Sequence, residues 1–261
     1  MANPNRQPGL FGVLSYTPFA ISPLAQAELM KYVKPPKTFD FYNLVSDYPI
    51  AGNDVVGNCL QAAFLHAMQT QMAVINQPFT PPTENQMITL NSSLGDTGQY
   101  PALLLAFWRS RGLFGTKIDG FGTVYNLKDH DAIKKAVWVY GSGIATAVLP
   151  DSVGVFFERG TEWDVVLTKQ YPPGQSTKPN SKKQWLPEQG TVGHALAVTG
   201  FSKRGVKFVT WGTEAECSWE WWDEYVQQFD VVLPHRWALV GHGRLPQYSF
   251  NALKQFLKDI V

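Results

Sequence analysis

The chain has 261 residues, of which 44% are hydrophobic and only 16% are charged. This length and composition predict one globular domain with elaborations and exclude a disordered chain. The 22 basic and 21 acidic side chains leave a net charge of +1, so no summed electrostatic field favours nucleic acid or anionic lipid. The longest apolar runs, such as 103–108, are far shorter than the roughly 18 residues of a membrane span. We expect no nucleic-acid partner and no membrane span.

The first 36 residues are rich in proline, asparagine and glutamine, and we interpret residues 1–36 as an N-terminal arm or extension. One short helix is predicted at 24–33, where a following proline pair ends it. The apolar stretch at 9–21 is weakly similar to a signal sequence, but serine, threonine and proline interrupt it. We expect no cleaved signal peptide.

The half of the chain that follows the arm is predicted to be helical. Residues 59–74 carry apolar side chains at helical spacing, and Asn58 stands where it can cap the first turn. Cys59 is then the first residue of a helix. Further helices are predicted at 84–94 with Thr83 as the cap, at 102–111, and at 131–140.

The second half changes to short runs that are rich in β-branched and aromatic residues, which is typical of strands. Strands are predicted at 144–149, 195–201 and 206–211, and a polar surface excursion at 169–185. A helix capped by Ser218 is predicted at 219–227, and a C-terminal helix at about 249–260. Helices followed by strands indicate an α+β protein.

Cys59 is either a nucleophile or a small buried hydrophobic residue. A helix N-terminus lowers a thiol pKa, which favours a reactive thiolate with a pKa below about 8.5, and such a cysteine needs an imidazole within hydrogen-bond reach. His66 is two turns further along the same helix, roughly 10 Å away. His194 begins an otherwise apolar strand, which is unusual unless the ring has a task. His130 lies in a DHD turn, where we expect a helix cap or a solvated ring, and His235 and His242 have no helpful neighbours.

A cysteine at a helix start, a histidine in the stretch GHALAVTGF 135 residues later, and the turn VTWG at 209–212 follow one another in this order. This order resembles the papain-like cysteine peptidases, over roughly residues 38–233. The resemblance implies a two-lobed α+β fold in residues 37–261, with a central helix starting at the cysteine and an antiparallel β-rich C-terminal half. It also implies amide hydrolysis by a dyad of Cys59 and His194.

Further roles follow only from the resemblance. Asn53 stands where the family has the side-chain amide of its oxyanion hole, although an asparagine that orders the loop through an Asx-turn is the alternative. Trp211 stands where a tryptophan shields the catalytic pair. Val209 falls at the position of the asparagine that orients the histidine, and valine cannot accept a hydrogen bond. Thr210, after a one-residue shift, or Glu214 are the candidates to replace it.

The segments NDVVGNC, GHALAVTGF and TWGTEAECSWEWWDEY are also similar to uncharacterised papain-like proteins of bacteriophages and bacteria. Three interpretations remain open: a thiol hydrolase that cleaves a peptide or amide, a catalytically inactive structural protein of a phage particle, and a peptidoglycan amidase or endopeptidase. Other virion proteins are possible partners, and the expected location is the bacterial cytoplasm or the virion.

Cys217 is expected to be a free structural thiol in a turn. The tryptophans that follow the VTWG turn are expected to pack in the core rather than to bind a sugar. These are Trp211, Trp219, Trp221 and Trp222. No spacing of His, Cys, Asp and Glu suits a metal, and no glycine-rich loop suits a nucleotide, so we expect no cofactor.

Overall fold

The computed structural model describes residues 33–95, 99–149, 153, 160, 162–164 and 192–234. Several predictions of the preceding section lie outside these residues: most of the arm 1–36, the helix at 24–33, the excursion 169–185, the C-terminal helix at 249–260, and the histidines at 235 and 242.

The described chain forms helices first and most of its strands later, so the predicted α+β class is confirmed. The helices are α1 (Cys59–Val74), α2 (Glu84–Leu94), α3 (Pro101–Ser110), α4 (His130–Tyr140) and α5 (Trp219–Tyr225). The strands are β1 (Phe39–Asp40), β2 (Ile118–Thr123), β3 (Gly143–Leu149), β4 (Val192–Phe201), β5 (Gly205–Thr210), β6 (Thr213–Ser218) and β7 (Val226–Pro234).

These strands form one seven-stranded sheet in the order β2-β7-β3-β4-β5-β6, and β1 pairs with the end of β4. Every pairing between these strands is antiparallel. Strand β4 is therefore bordered by β3 and β5, which places His194 opposite Ala147 and Ala197 opposite Val209.

The sheet separates two apolar clusters, because successive side chains of a strand point to opposite faces. Ala195 and Ala197 of β4 pack with the residues of α1 and α3. Leu196 and Val198, which alternate with them, pack with α4 and the tryptophans of α5. The helical half of the molecule thus docks through α1 against one face of the β-rich half.

Side chains that bond to backbone N–H groups begin three of the helices. Thr83 forms a reciprocal capping box with Gln86 at the start of α2, and the Ser218 hydroxyl accepts a hydrogen bond from the Trp221 N–H in α5, as predicted. Asp129 does the same for α4. The cap predicted for α1 is wrong, because the Asn58 side chain points back and donates to the Ala51 carbonyl at 2.7 Å.

The sequence prediction missed strands and misplaced some ends. Cys217 lies inside β6 rather than in a turn, and it is buried and free. The helix predicted at 219–227 ends at Tyr225, where β7 begins. Strand β2 carries glycines at 120 and 122, and β7 carries Gln and Asp among its apolar residues, so neither resembles an apolar strand in the sequence.

Helix α1 is buried almost all round, and its polar side chains are bonded to other parts of the chain. Gln71 donates hydrogen bonds to the carbonyls of Tyr140 and Val232, both at 3.0 Å. Tyr48 and Thr70 share a hydrogen bond of 2.8 Å between their hydroxyls. These contacts fix the rotation and the axial position of α1 on the sheet, and so the position of Cys59. No helix among the described residues has the length and apolarity that crossing a membrane requires.

We expect Gln71→Met to lower the free energy of unfolding by about 1–3 kcal/mol or more, because it leaves two buried carbonyls without their amide donor. Urea denaturation followed by far-UV circular dichroism measures this. Gln77→Met, at an exposed position just beyond α1, is the matched control. Equal effects of the two substitutions would contradict a role of Gln71 in docking the helix.

Candidate active site

Cys59 is the first residue of α1 and is 4% exposed. The backbone N–H groups of Ala195 and Leu60 lie close enough to its thiol to lower the thiol pKa. Ala195 follows His194 in β4, and consecutive Cα atoms are about 3.8 Å apart. The cysteine at the helix start and the residue that carries the imidazole at the strand start are therefore neighbours in space, although 134 residues of chain lie between Cys59 and His194.

The thiol does not have the low pKa that its helix position predicted. Burial raises the pKa of Cys59 to about 11, and the backbone N–H groups around the sulfur lower it by less. The prediction considered only the helix N-terminus. It is wrong for this structure because desolvation destabilises the thiolate by more than the nearby N–H groups stabilise it.

The His194 ring is buried and has one hydrogen-bond partner among the described residues. Its Nε2 atom lies 2.7 Å from the Thr210 hydroxyl. Its Nδ1 atom is buried and makes no hydrogen bond within the described part of the chain. Burial lowers the pKa of His194 to about 3, so the ring is neutral at physiological pH. One nitrogen is thus held by Thr210, and the other is available.

Trp211 covers the imidazole. The two rings stack with centroids 4.5 Å apart and planes 26° from parallel. Trp211 and Gly212 form the two-residue turn between β5 and β6, with φ of 47° and 72°. A Cβ atom at residue 212 would lie 2.7 Å from the Tyr48 carbonyl oxygen. Only glycine permits this close approach of residue 212 to Tyr48. The approach packs the turn that covers His194 against the segment that precedes α1.

Val209 lies on the other side of strand β5 from Thr210. It is fully buried in the cluster around α1, together with Cys59, Leu60 and Ala197. The hydrogen bond of 2.7 Å between the Thr210 hydroxyl and His194 Nε2 shows that Thr210, and not Val209, is the residue that meets His194. This corresponds to the one-residue shift that the sequence left open.

Asn53 is buried in the loop that connects β1 to α1. Its backbone N–H donates to the Ile50 carbonyl at 3.1 Å, and its side-chain oxygen has no hydrogen-bond partner among the described residues. Ala51 and Gly52 have positive φ values of 60° and 74°, which turn the chain sharply before Asn53. The bond from Asn58 to the Ala51 carbonyl closes the base of this loop.

Glu214, the other candidate to orient His194, belongs to a separate charged cluster. Its carboxylate lies 3.7 Å from the Lys207 ammonium, which also pairs with Asp40 at 2.7 Å. Burial, and then the neighbouring Asp40 carboxyl, raise the pKa of Glu214 to about 7.

Two further histidines have structural partners. The Nε2–H of His66 donates to the Pro49 carbonyl at 2.8 Å, and burial lowers the His66 pKa to about 4. His130 stacks on Trp219 and lies 2.8 Å from an Asp223 carboxylate oxygen. Across the described residues, no three side chains of His, Cys, Asp or Glu come together as metal ligands do.

Comparison with solved structures identifies the architecture. The chain is similar to xylellain, a cysteine protease from Xylella fastidiosa, with a TM-score of 0.57 and 14% identity over 89% of this chain and 99% of that one. The fold is papain-like. Procathepsin L 3 from the larval midgut of Tenebrio molitor matches with a TM-score of 0.52 and 12% identity, over 88% of this chain and 76% of that one. Procathepsin L2 from the same source matches with a TM-score of 0.50 and 13% identity, over 87% and 84%.

No protein-family model matches the sequence, and no curated protein matches it either. Identities of 12–14% establish the papain-like fold alone. The two-lobed arrangement, with a central helix starting at Cys59 and an antiparallel β-rich second half, agrees with what the sequence resemblance implied.

We expect Val209→Asn to destabilise the protein by about 1–3 kcal/mol without increasing any hydrolytic activity, because it buries an amide among apolar side chains away from His194. Thermal unfolding measures the loss of stability, and Val55→Asn, at a half-exposed position, is the control. Faster turnover with unchanged stability would instead place residue 209 beside the imidazole.

We expect the stability that Glu214 contributes to be fully present below its ordinary pKa of 4.5 and to be lost as the pH rises through about 7, because the folded state favours its protonated form. Glu214→Gln stays neutral, so the variant should gain melting temperature relative to the wild type between pH 5 and pH 8. The exposed Glu224→Gln gives the baseline. A wild-type-to-Gln difference that stays constant over this range would contradict the raised pKa.

Proposed function

We propose that this protein is a papain-like thiol hydrolase that cleaves amide bonds with Cys59 and His194. The observation that carries the proposal is the hydrogen bond between His194 Nε2 and the Thr210 hydroxyl. It leaves Nδ1 without a partner among the described residues, in the residue next to Ala195, whose backbone N–H lies near the Cys59 thiol. A base needs one nitrogen held and the other free to accept a proton.

In the proposed reaction the Cys59 sulfur attacks the carbonyl carbon of the substrate while the thiol proton moves to His194 Nδ1. The resulting imidazolium then gives that proton to the leaving amine, and a thioester forms. Water, with His194 again as the base, hydrolyses the thioester and restores the thiol. A cysteine pKa of about 11 and a histidine pKa of about 3 keep the resting pair neutral. The proton therefore transfers during the attack rather than before it.

Thr210 serves in this proposal as a positioning residue. An asparagine oxygen only accepts a hydrogen bond, and so it fixes the ring proton on Nε2. A threonine hydroxyl can donate or accept, so it holds the ring in place but selects the tautomer less strictly. We infer a slower enzyme than one with an asparagine at this place, since a wrong tautomer costs about 10⁴ in turnover in the serine protease triad.

The oxyanion that forms during the attack requires donors at the helix start. The Cys59 backbone N–H and the Asn53 side-chain amide are the proposed donors. The support for Asn53 is its burial in the sharply turned loop that precedes α1.

A catalytically inactive papain-like fold is the second candidate, and burial favours it. Cys59 is 4% exposed and His194 is 1% exposed, so a substrate reaches neither without a movement of the residues that cover them. A structural role in a phage particle, and peptidoglycan as the substrate, stay predictions that rest on the sequence resemblance.

Alkylation by iodoacetamide, followed by mass spectrometry, tests the cysteine–histidine pair without knowledge of the substrate. At pH 6 to 8 we expect Cys59 to react faster than Cys217, and His194→Gln to slow Cys59 alone. Cys217 lies in β6 and is fully buried, so it serves as an internal control. Labelling of Cys59 at the rate of Cys217, and unchanged by His194→Gln, would favour the inactive fold.

Turnover on fluorescently labelled denatured casein tests the rest of the proposal. Cys59→Ala should abolish it and Cys217→Ala should preserve it. Thr210→Val, which removes only the hydroxyl, should lower kcat by about 10²-fold with little change in KM, and Thr210→Ser should restore it. Equal activity of the valine and serine variants would contradict the positioning role of Thr210.

A further inference from the structure

A cavity of about 590 Å³ opens on the molecule away from Cys59. It lies between the second half of α1, the loop that joins α3 to β2, and the end of β7, and its apolar lining includes Met68, Met72, Leu113 and Pro234. Met68 is nine residues beyond Cys59, which is about 13 Å along the helix. The volume falls within the range of roughly 300–1,000 Å³ that is usual for small-molecule sites.

The rim of this cavity is a tight and well-anchored loop. Leu113 and Thr116 exchange two backbone hydrogen bonds of 2.8 and 2.9 Å, and Phe114 and Gly115 between them have positive φ values of 53° and 70°. The Trp108 indole N–H donates to the Thr116 hydroxyl at 3.1 Å, which ties the loop to α3. The rim is thus formed before any ligand binds, so little ordering cost falls on binding.

Two cations stand at this rim, Arg111 and Lys117, and both line the cavity. Both residues are exposed, and no carboxylate among the described residues pairs with either of them. The Lys117 ammonium donates to the Ser110 carbonyl at 3.2 Å. Positive charge above an apolar floor complements a ligand that has an anionic head and an apolar body.

We propose that this cavity binds a small amphipathic carboxylate, with its head group at Arg111 and Lys117 and its apolar chain against Met72, which packs over the fully buried Met68. The two methionines follow each other at i and i+4 on α1. Their flexible thioether side chains adapt to ligands of different shape. The site therefore selects for the charge and the hydrocarbon length of a ligand more than for its exact shape.

Two fluorescent probes that differ in charge test the proposal. The anionic 8-anilino-1-naphthalenesulfonate should bind saturably with one site per chain, and decanoate should displace it. Arg111→Ala with Lys117→Ala should weaken this binding about tenfold or more, because charged contacts to the head group are lost. Binding of the neutral N-phenyl-1-naphthylamine should change little. Arg109→Ala with Lys128→Ala removes the same charge from exposed positions outside the lining, and should leave both probes unaffected.

A second variant tests the apolar floor. Met72→Trp fills the cavity and should weaken both probes, while melting temperatures monitor the fold. Cys59→Ala should bind both probes as the wild type does, so the outcome is independent of the proposed hydrolase. The proposal is overturned if the sulfonate does not bind saturably, if decanoate does not displace it, or if the control pair of substitutions weakens it as much as the rim pair does.

Discussion

The architecture depends on how closely α1 approaches β4. Ala195 and Ala197 are the side chains that β4 presents to the helix, and their small size allows a close approach that leaves the Ala195 N–H near the Cys59 thiol. A larger residue at either position would lift the helix from the sheet and separate the cysteine from the strand that carries His194. The relative position of Cys59 and His194 is therefore set by the packing of α1 on β4.

In the second half of the chain, one hairpin of β5 and β6 carries the residues that contact His194. Strands β5 and β6 meet at Trp211 and Gly212, so the residue that holds the imidazole, Thr210, and the residue that covers it, Trp211, are adjacent in the chain. The close contact of Gly212 with Tyr48 then presses this hairpin onto the first half. Three neighbouring residues thus hold, cover and locate the histidine.

Much of this arrangement could be predicted from the sequence, but the register of strand β5 relative to His194 could not. The helix at 59–74, the caps at Thr83 and Ser218, and the papain-like order of cysteine, histidine and Trp-Gly turn were all readable, because each depends on local pattern or on spacing. Which of Val209 and Thr210 faces the imidazole depends on a one-residue shift in a strand, and such a shift reverses every side chain. The thiol pKa was misjudged because burial depends on residues distant in the sequence. Glu214 carries a carboxylate that could accept a hydrogen bond from His194, and only the structure shows that it lies beside Lys207 and Asp40 instead.

The hydrogen bonds of Gln71 also bear on how the chain folds. Its two acceptors, Tyr140 and Val232, lie 69 and 161 positions further along. During synthesis the residues of α1 are joined before either carbonyl exists, so both hydrogen bonds of Gln71 can form only once β7 has been made. Contacts of such long sequence separation slow folding. The complete set of contacts that fixes α1, and with it the position of Cys59, therefore requires a chain that extends through β7.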